Sequence, residues 1–159
     1  MSLFENIMKD FSEETNLEVK IESDNSCAFE FEDLLIVLQY RQAADDIVMF
    51  CSLSDPEKIP VFSKEVLYKA LSLSFNGEGT GGNFIGISEG TLILSRIIPI
   101  EQLDGKKLMK ILSEFSDKAV FIRDVLKDVY SISKGDEDLG TRDSAKSSIA
   151  SSLMDVLPV

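Results

Sequence analysis

Residues 34–40, Leu-Leu-Ile-Val-Leu-Gln-Tyr, constrain this chain more than any other stretch. At the two-residue period of a strand, Leu34, Ile36, Leu38 and Tyr40 share one face, while Leu35 and Val37 share the other. Residues 47–51, Ile-Val-Met-Phe-Cys, are apolar on both faces as well. Strands of this kind are covered on both sides in a folded protein. Upstream, Cys27, Phe29 and Phe31 alternate with Ala28, Glu30 and Glu32, which predicts a half-buried strand. Glu32-Asp33 and residues 43–46 read as tight turns. Three strands over about residues 27–53 therefore form an antiparallel meander.

Helices flank this meander. Ser2 with Glu5 three residues on has the capping-box spacing, and Leu3, Phe4, Ile7, Met8 and Phe11 make one apolar stripe, so a helix is expected over Leu3–Glu14. Asp55-Pro56 and Pro60 break the pattern. Ser63 is expected to cap a second helix, Lys64–Phe75, with Val66, Leu67, Ala70, Leu71 and Leu73 as its apolar positions. A glycine-rich loop (76–83) leads to strands over Phe84–Ser88 and Thr91–Ile98, and Pro99 stops the second. Asp104 is expected to cap a third helix running to about Ser131. Its apolar face is Leu108, Leu112, Phe115, Ala119, Ile122, Leu126 and Val129.

The order α-β-β-β-α-β-β-α predicts an α+β fold with an antiparallel five-stranded sheet. If the three helices share one face of the sheet, apolar surface is left over for a second subunit or a ligand chain. If they divide between both faces, nothing is left over. Residues 1–133 read as the domain. Residues 134–159 read as a tail, flexible or with a short docking helix from Ile149, Leu153 and Leu157, and dispensable for folding.

Charge and residue inventory exclude several functions. The chain carries 28 acidic and 16 basic residues, a net −12, and residues 1–33 alone hold ten acidic residues against two lysines. A nucleic-acid binder needs a basic face, and an anionic membrane would repel this chain. No apolar run is long enough to span a bilayer. Histidine is absent, which removes histidine-activated nucleophiles and histidine-liganded metals. Cys27 and Cys51 are expected to be small buried hydrophobes, in contact or apart, rather than a disulfide. The glycine loop lacks the P-loop lysine and follows a helix rather than a strand. Arg96 interrupts an apolar strand and reads as lying on the solvent face or pairing with a carboxylate across the sheet. No catalytic, cofactor or metal site is expected, and the chain reads as a binding protein, not an enzyme.

The capped start SLFENIMKDF, the strand SCAFEFED and the stretch LSLSFNGEGTGGNFIGISEGTLILSRIIPIEQLDGKKL, together with the element order and acidity, resemble the class I chaperones of bacterial type III secretion systems over about residues 1–130. That resemblance implies a cytoplasmic homodimer that holds the N-terminal region of secreted effectors in extended form, with components of the secretion apparatus as further partners. It implies cargo contacts on the first helix and the meander, at Phe4, Ile7, Met8, Phe29 and Phe31. It implies a dimer interface around the second helix and fourth strand, at Leu67, Leu71, Phe84 and Ile85. The alternative is a dimeric peptide-binding or regulatory domain of the same fold with no role in secretion.

Overall fold

The computed structural model describes residues 2–54 and 63–137, the side chains of 134–137 excepted. The elements are α1 (Leu3–Thr15), β1 (Ser26–Phe31), β2 (Leu34–Arg41), β3 (Asp46–Ser52), α2 (Lys64–Ser74), β4 (Phe84–Ser88), β5 (Thr91–Pro99) and α3 (Gly105–Glu137), with a short 3-10 turn at Phe75–Gly77. The α-β-β-β-α-β-β-α order holds throughout.

Local chemistry accounts for the element ends. The Ser2 hydroxyl accepts from the Glu5 N–H at 3.2 Å, and the Glu5 carboxylate accepts from the Ser2 N–H at 2.5 Å. That reciprocal pair satisfies two donors which the first turn of a helix leaves open. Asp104 caps α3 by accepting from the Lys107 N–H at 2.8 Å. Ser63 sits at the expected cap of α2, but its hydroxyl donates to the Glu65 carboxylate and leaves the backbone uncapped. α3 continues past Ser131 to Glu137. Its apolar stripe ends earlier, and a hydrogen-bond ladder once nucleated does not need that stripe to continue. Residues 138–159, with the expected docking positions Ile149, Leu153 and Leu157, lie outside the described residues.

The five strands form one antiparallel sheet in the order β1-β2-β3-β5-β4. The β1–β2 hairpin turns on Glu32 and Asp33, both in the left-handed region at φ 48° and 63°. Two such residues give the backbone twist that a two-residue hairpin needs, at a cost without glycine. Glu32 offsets part of that cost through its side chain. Its carboxylate accepts from the hydroxyl of Ser116, a fully buried residue of α3, at 2.8 Å.

One face of the sheet carries Cys27, Phe29, Leu34, Ile36, Leu38, Ile47, Met49, Cys51, Leu92, Leu94 and Ile98, all buried. These pack on Phe4, Ile7, Met8 and Phe11 of α1 and on Leu108, Leu112, Phe115, Ala119, Ile122 and Leu126 of α3. The Phe4 ring stacks on Tyr40 at 5.3 Å between centroids, and Phe11 meets Phe29 at 5.5 Å. α1 and α2 both pack on α3, and α2 also touches β4, at the sheet edge. Gly105 lets α3 start against α1, because a Cβ there would lie 2.6 Å from the Phe11 backbone nitrogen. Among the described residues, all three helices lie on this side.

Arg96 differs from expectation. It has the strand parity of Leu94 and Ile98, so it faces the helices, where its guanidinium reaches Glu114 of α3 at 3.6 Å. A long side chain at the rim of a helix–sheet interface can bury its stem and keep its charge paired outside.

Candidate functional site

Among the described residues, the helices take one side of the sheet and none of them covers the other. The register aligns Ala28 (β1), Val37 (β2), Phe50 (β3), Ser95 (β5) and Phe84 (β4) in a row across all five strands. Val48 pairs with Ile97 in the row on one side, and Ile93 with Gly86 in the row on the other. Leu35 opposes Glu30 at the β1 edge of that face. Val37, Val48, Phe50 and Ile93 are half-buried by their neighbours in the sheet, while Leu35, Ile97 and Phe84 are exposed. The apolar set on the second face of β2 and β3, legible in residues 34–40 and 47–51, is therefore a surface.

One end of this face carries charge. Arg41 and Asp46 oppose each other across β2 and β3. Arg41 donates from Nε and from its terminal nitrogen to both Asp46 carboxylate oxygens at 2.7 Å each. Those hydrogen bonds hold the Asp46 carboxyl below the usual carboxylate range, against the opposing effect of desolvation. Next to them, the Tyr40 hydroxyl donates to Asp45 at 3.0 Å, which raises the phenol above its ordinary value. Among the described residues, β1 and β4 are the edge strands of the sheet, and the Glu22 N–H donates to the Ser26 carbonyl at the start of β1 at 2.8 Å.

A second apolar surface lies at the β4 side. Tyr68, Leu71 and Phe75 are 74%, 73% and 75% exposed on α2 and its end, and Phe84 and Ile87 of β4 are more than half exposed. The turn that joins α2 to β4 is held close by Gly79, where a Cβ would meet Leu73 at 2.7 Å.

The sequence-expected site residues divide between core and surface. Phe4, Ile7, Met8 and Phe29 are in the core, and Phe31 is half-buried against it. Burial keeps the Phe4, Ile7, Met8 and Phe29 side chains from a cargo chain in this conformation, and Phe31 keeps part of its side chain at the surface. Helix and sheet consume the α1 stripe and the matching face of β1 between them, and no side chain of the first four reaches the surface. Leu67 and Ile85 are half-buried against the core, whereas Leu71 and Phe84 are exposed. Sequence reading did not name Phe50, Val37, Val48, Ile93 and Ile97 as site residues. The signal was the two-sided apolar pattern of β2 and β3, and the strand register was needed to join it to β5.

Cys27 and Cys51 are free and both buried. They sit on β1 and β3 with β2 between them, opposite Leu38 and Ile36. Strands two apart are separated by about 9–10 Å, beyond the reach of a disulfide. Burial pushes each thiol up to about 12.

The model of the family described as Tir chaperone protein (CesT) matches residues 6–123. Several solved structures share the fold. A HopA1–SchA chaperone–effector complex matches with a TM-score of 0.64 at 17% identity, covering 77% of this chain and 94% of that one. The Yersinia pestis type III secretion chaperone SycH, solved with a stable fragment of YscM2, matches with a TM-score of 0.57 at 18% identity, covering 76% and 99%. A chain of the ExsC–ExsE complex matches with a TM-score of 0.66 at 13% identity, covering 78% and 92%. No curated protein matches by sequence.

Proposed function

This chain belongs to the Tir chaperone protein (CesT) family, and from that premise we propose that it is a cytoplasmic homodimeric chaperone that holds the N-terminal region of type III secreted effectors extended. The observation that carries the reading is the open sheet face, with its apolar row from Val37 through Phe50 to Phe84. A surface of that kind, between two edge strands, suits an extended segment that seats apolar side chains and pairs its backbone with an edge. The likeness in fold to a chain solved in a chaperone–effector complex and to a type III secretion chaperone supports the same reading. The work is binding, without catalysis or cofactor.

The exposed set Tyr68, Leu71, Phe75 and Ile87 supports a dimer through α2 and β4. Leu71 from the sequence-expected set would lie in this surface, with Leu67 and Ile85 behind it as support, while Phe84 of β4 points to the open face.

The test is co-expression with candidate effectors and purification of a stable complex. Phe50→Glu should abolish co-purification while circular dichroism stays unchanged, because a half-buried side chain on the open face leaves the core intact. A complex that survives Phe50→Glu and Val37→Glu together would move the grip elsewhere.

A further inference from the structure

Ser95 is a small residue enclosed by large ones. Its strand parity puts it on the open face with Ile93 and Ile97, two positions to either side along β5. Across the ladder it pairs with Phe50 of β3 and Phe84 of β4. Four apolar side chains therefore stand around a serine that is shorter than each of them. Phe50 and Phe84 lie two strands apart, about 9–10 Å, and Ile93 and Ile97 lie about 13 Å apart along one strand. That leaves one strand's width between the two rings. Phe84 and Ile97 are exposed at the rim, while Phe50, Ile93 and Ser95 are half-buried. The depression continues toward Gly86, which pairs with Ile93 and lies diagonal to Ser95. Nothing in the described fold requires a glycine there. Its φ is outside the left-handed region, and a Cβ would meet nothing within 4 Å. A glycine inside a strand weakens it, and one common reason to carry one is the close approach of a ligand.

We infer that this depression is a socket for one large uncharged side chain, a leucine, methionine or phenylalanine of the segment bound on the open face, and that Ser95 and Gly86 set its size. As a statement about effectors it rests on the function proposed above. Two further observations select this occupant. First, the walls are apolar and carry no charge. The charged pair of this face, Arg41 and Asp46, lies beyond the Val48–Ile97 row, and each satisfies the other. An ammonium or carboxylate in the socket would lose water and find no partner. Second, the socket stays free in the proposed dimer. Ile87 of β4 has the parity of its buried neighbour Leu92, so the dimer surface faces the helix side of the sheet while the socket faces the other. The open face thereby gains a selective position. Most of it accepts any apolar side chain, whereas the socket rewards one that fills it and gives little to alanine.

The experiment is nuclear magnetic resonance of the full, isotope-labelled chain titrated with blocked peptides Gly-Gly-X-Gly-Gly, where X is alanine, lysine, leucine or phenylalanine. The leucine and phenylalanine peptides should shift the amides of Ser95, Gly86 and their neighbours at millimolar concentration, and the alanine and lysine peptides should not. Ser95→Ile suits a strand and fills the socket, so it should weaken binding about ten-fold or more. Gly86→Phe fills it from the diagonal position and should do the same. Ser95→Ala keeps the socket empty and should leave binding unchanged. Circular dichroism verifies the fold of each variant. Equal shifts from the alanine and leucine peptides overturn the inference, as do shifts confined to another surface or binding that survives both filling variants. Loss of the dimer mass in Ser95→Ile would place a second copy in the socket and overturn it equally. Co-purification with effectors separates this inference from the proposed function. An effector complex that survives Ser95→Ile and Gly86→Phe removes the socket and leaves the function. Peptide shifts at the socket with no effector retained keep the socket and count against the function.

Discussion

Burial separates residues that look alike in the sequence. Phe4 and Phe50 are both apolar aromatics on amphipathic elements, yet Phe4 is 1% exposed beneath Tyr40 while Phe50 lies on the open face. Phe4→Ala is therefore expected to cost about 3–5 kcal/mol of stability through the cavity it leaves, read as a lower midpoint in urea. Phe50→Ala should leave the midpoint nearly unchanged. The thiols make a second prediction. With Cys27 and Cys51 buried and their ionisation pushed up to about 12, neither offers thiolate at pH 8. A disulfide reagent should find no reactive thiol in the native protein and two in denaturant. Fast native labelling of either would contradict the burial. Asp46 gives the third. Its folded carboxyl titrates below its ordinary value because Arg41 hydrogen-bonds the charged form. The contribution is present above the ordinary carboxylate range and is lost as pH falls through the lowered folded value. Asp46→Asn should lower the melting temperature at pH 7, and the difference from the unaltered chain should shrink as pH falls below the ordinary carboxylate range. A difference that grows on acidification would mean the pair does not favour the folded state.

At the scale of elements, the junction of α1 and α3 sets two effects of opposite sign against each other. Gly105 opens α3, and helix propensity alone favours Gly105→Ala by about 1 kcal/mol. The added Cβ would sit 2.6 Å from a backbone nitrogen of α1, where no flexible side chain can move aside. The clash is expected to win, giving a net loss of about 1–3 kcal/mol and a lower melting temperature. A rise would show that the first turn of α3 can slide off α1. The hairpins follow similar logic. The positive φ values at Glu32 and Asp33 are compensated by the Ser116 hydrogen bond, a contact 84 positions away that no local pattern announces.

At the scale of the molecule, placing all described helices on one face fixes two surfaces at once. The α2–β4 side should pair two chains. Light scattering is expected to give twice the 17.6 kDa chain mass, and Leu71→Asp, at a position 73% exposed, should give a folded monomer. A Leu71→Asp protein that remains dimeric would exclude this side. The open face should hold cargo chiefly by burial. One large side chain buried is worth roughly 1.5–3 kcal/mol, while an exposed ion pair is worth about 0–1 kcal/mol. Cargo affinity should therefore change little between low and high salt, and a steep fall would assign the grip to the acidic residues of positions 1–33 instead.

The sequence by itself determined the elements and their order, because periodicity, caps and turn residues act over a few positions. Ser2 with Glu5, the alternation of residues 27–31 and the stripe from Leu108 to Leu126 all act locally, and all hold in three dimensions. It also announced that β2 and β3 are apolar on two faces. Which of those faces the helices would take was decided only by tertiary structure. Phe4 and Phe29 are as apolar as Phe50 and Val37, and no local signal ranks them. β5 lies between β3 and β4, which carries Ile93, Ile97 and Phe84 onto the open face and turns Arg96 toward Glu114. Strand pairing across some 45 residues makes that choice, and a chain read one window at a time holds no record of it.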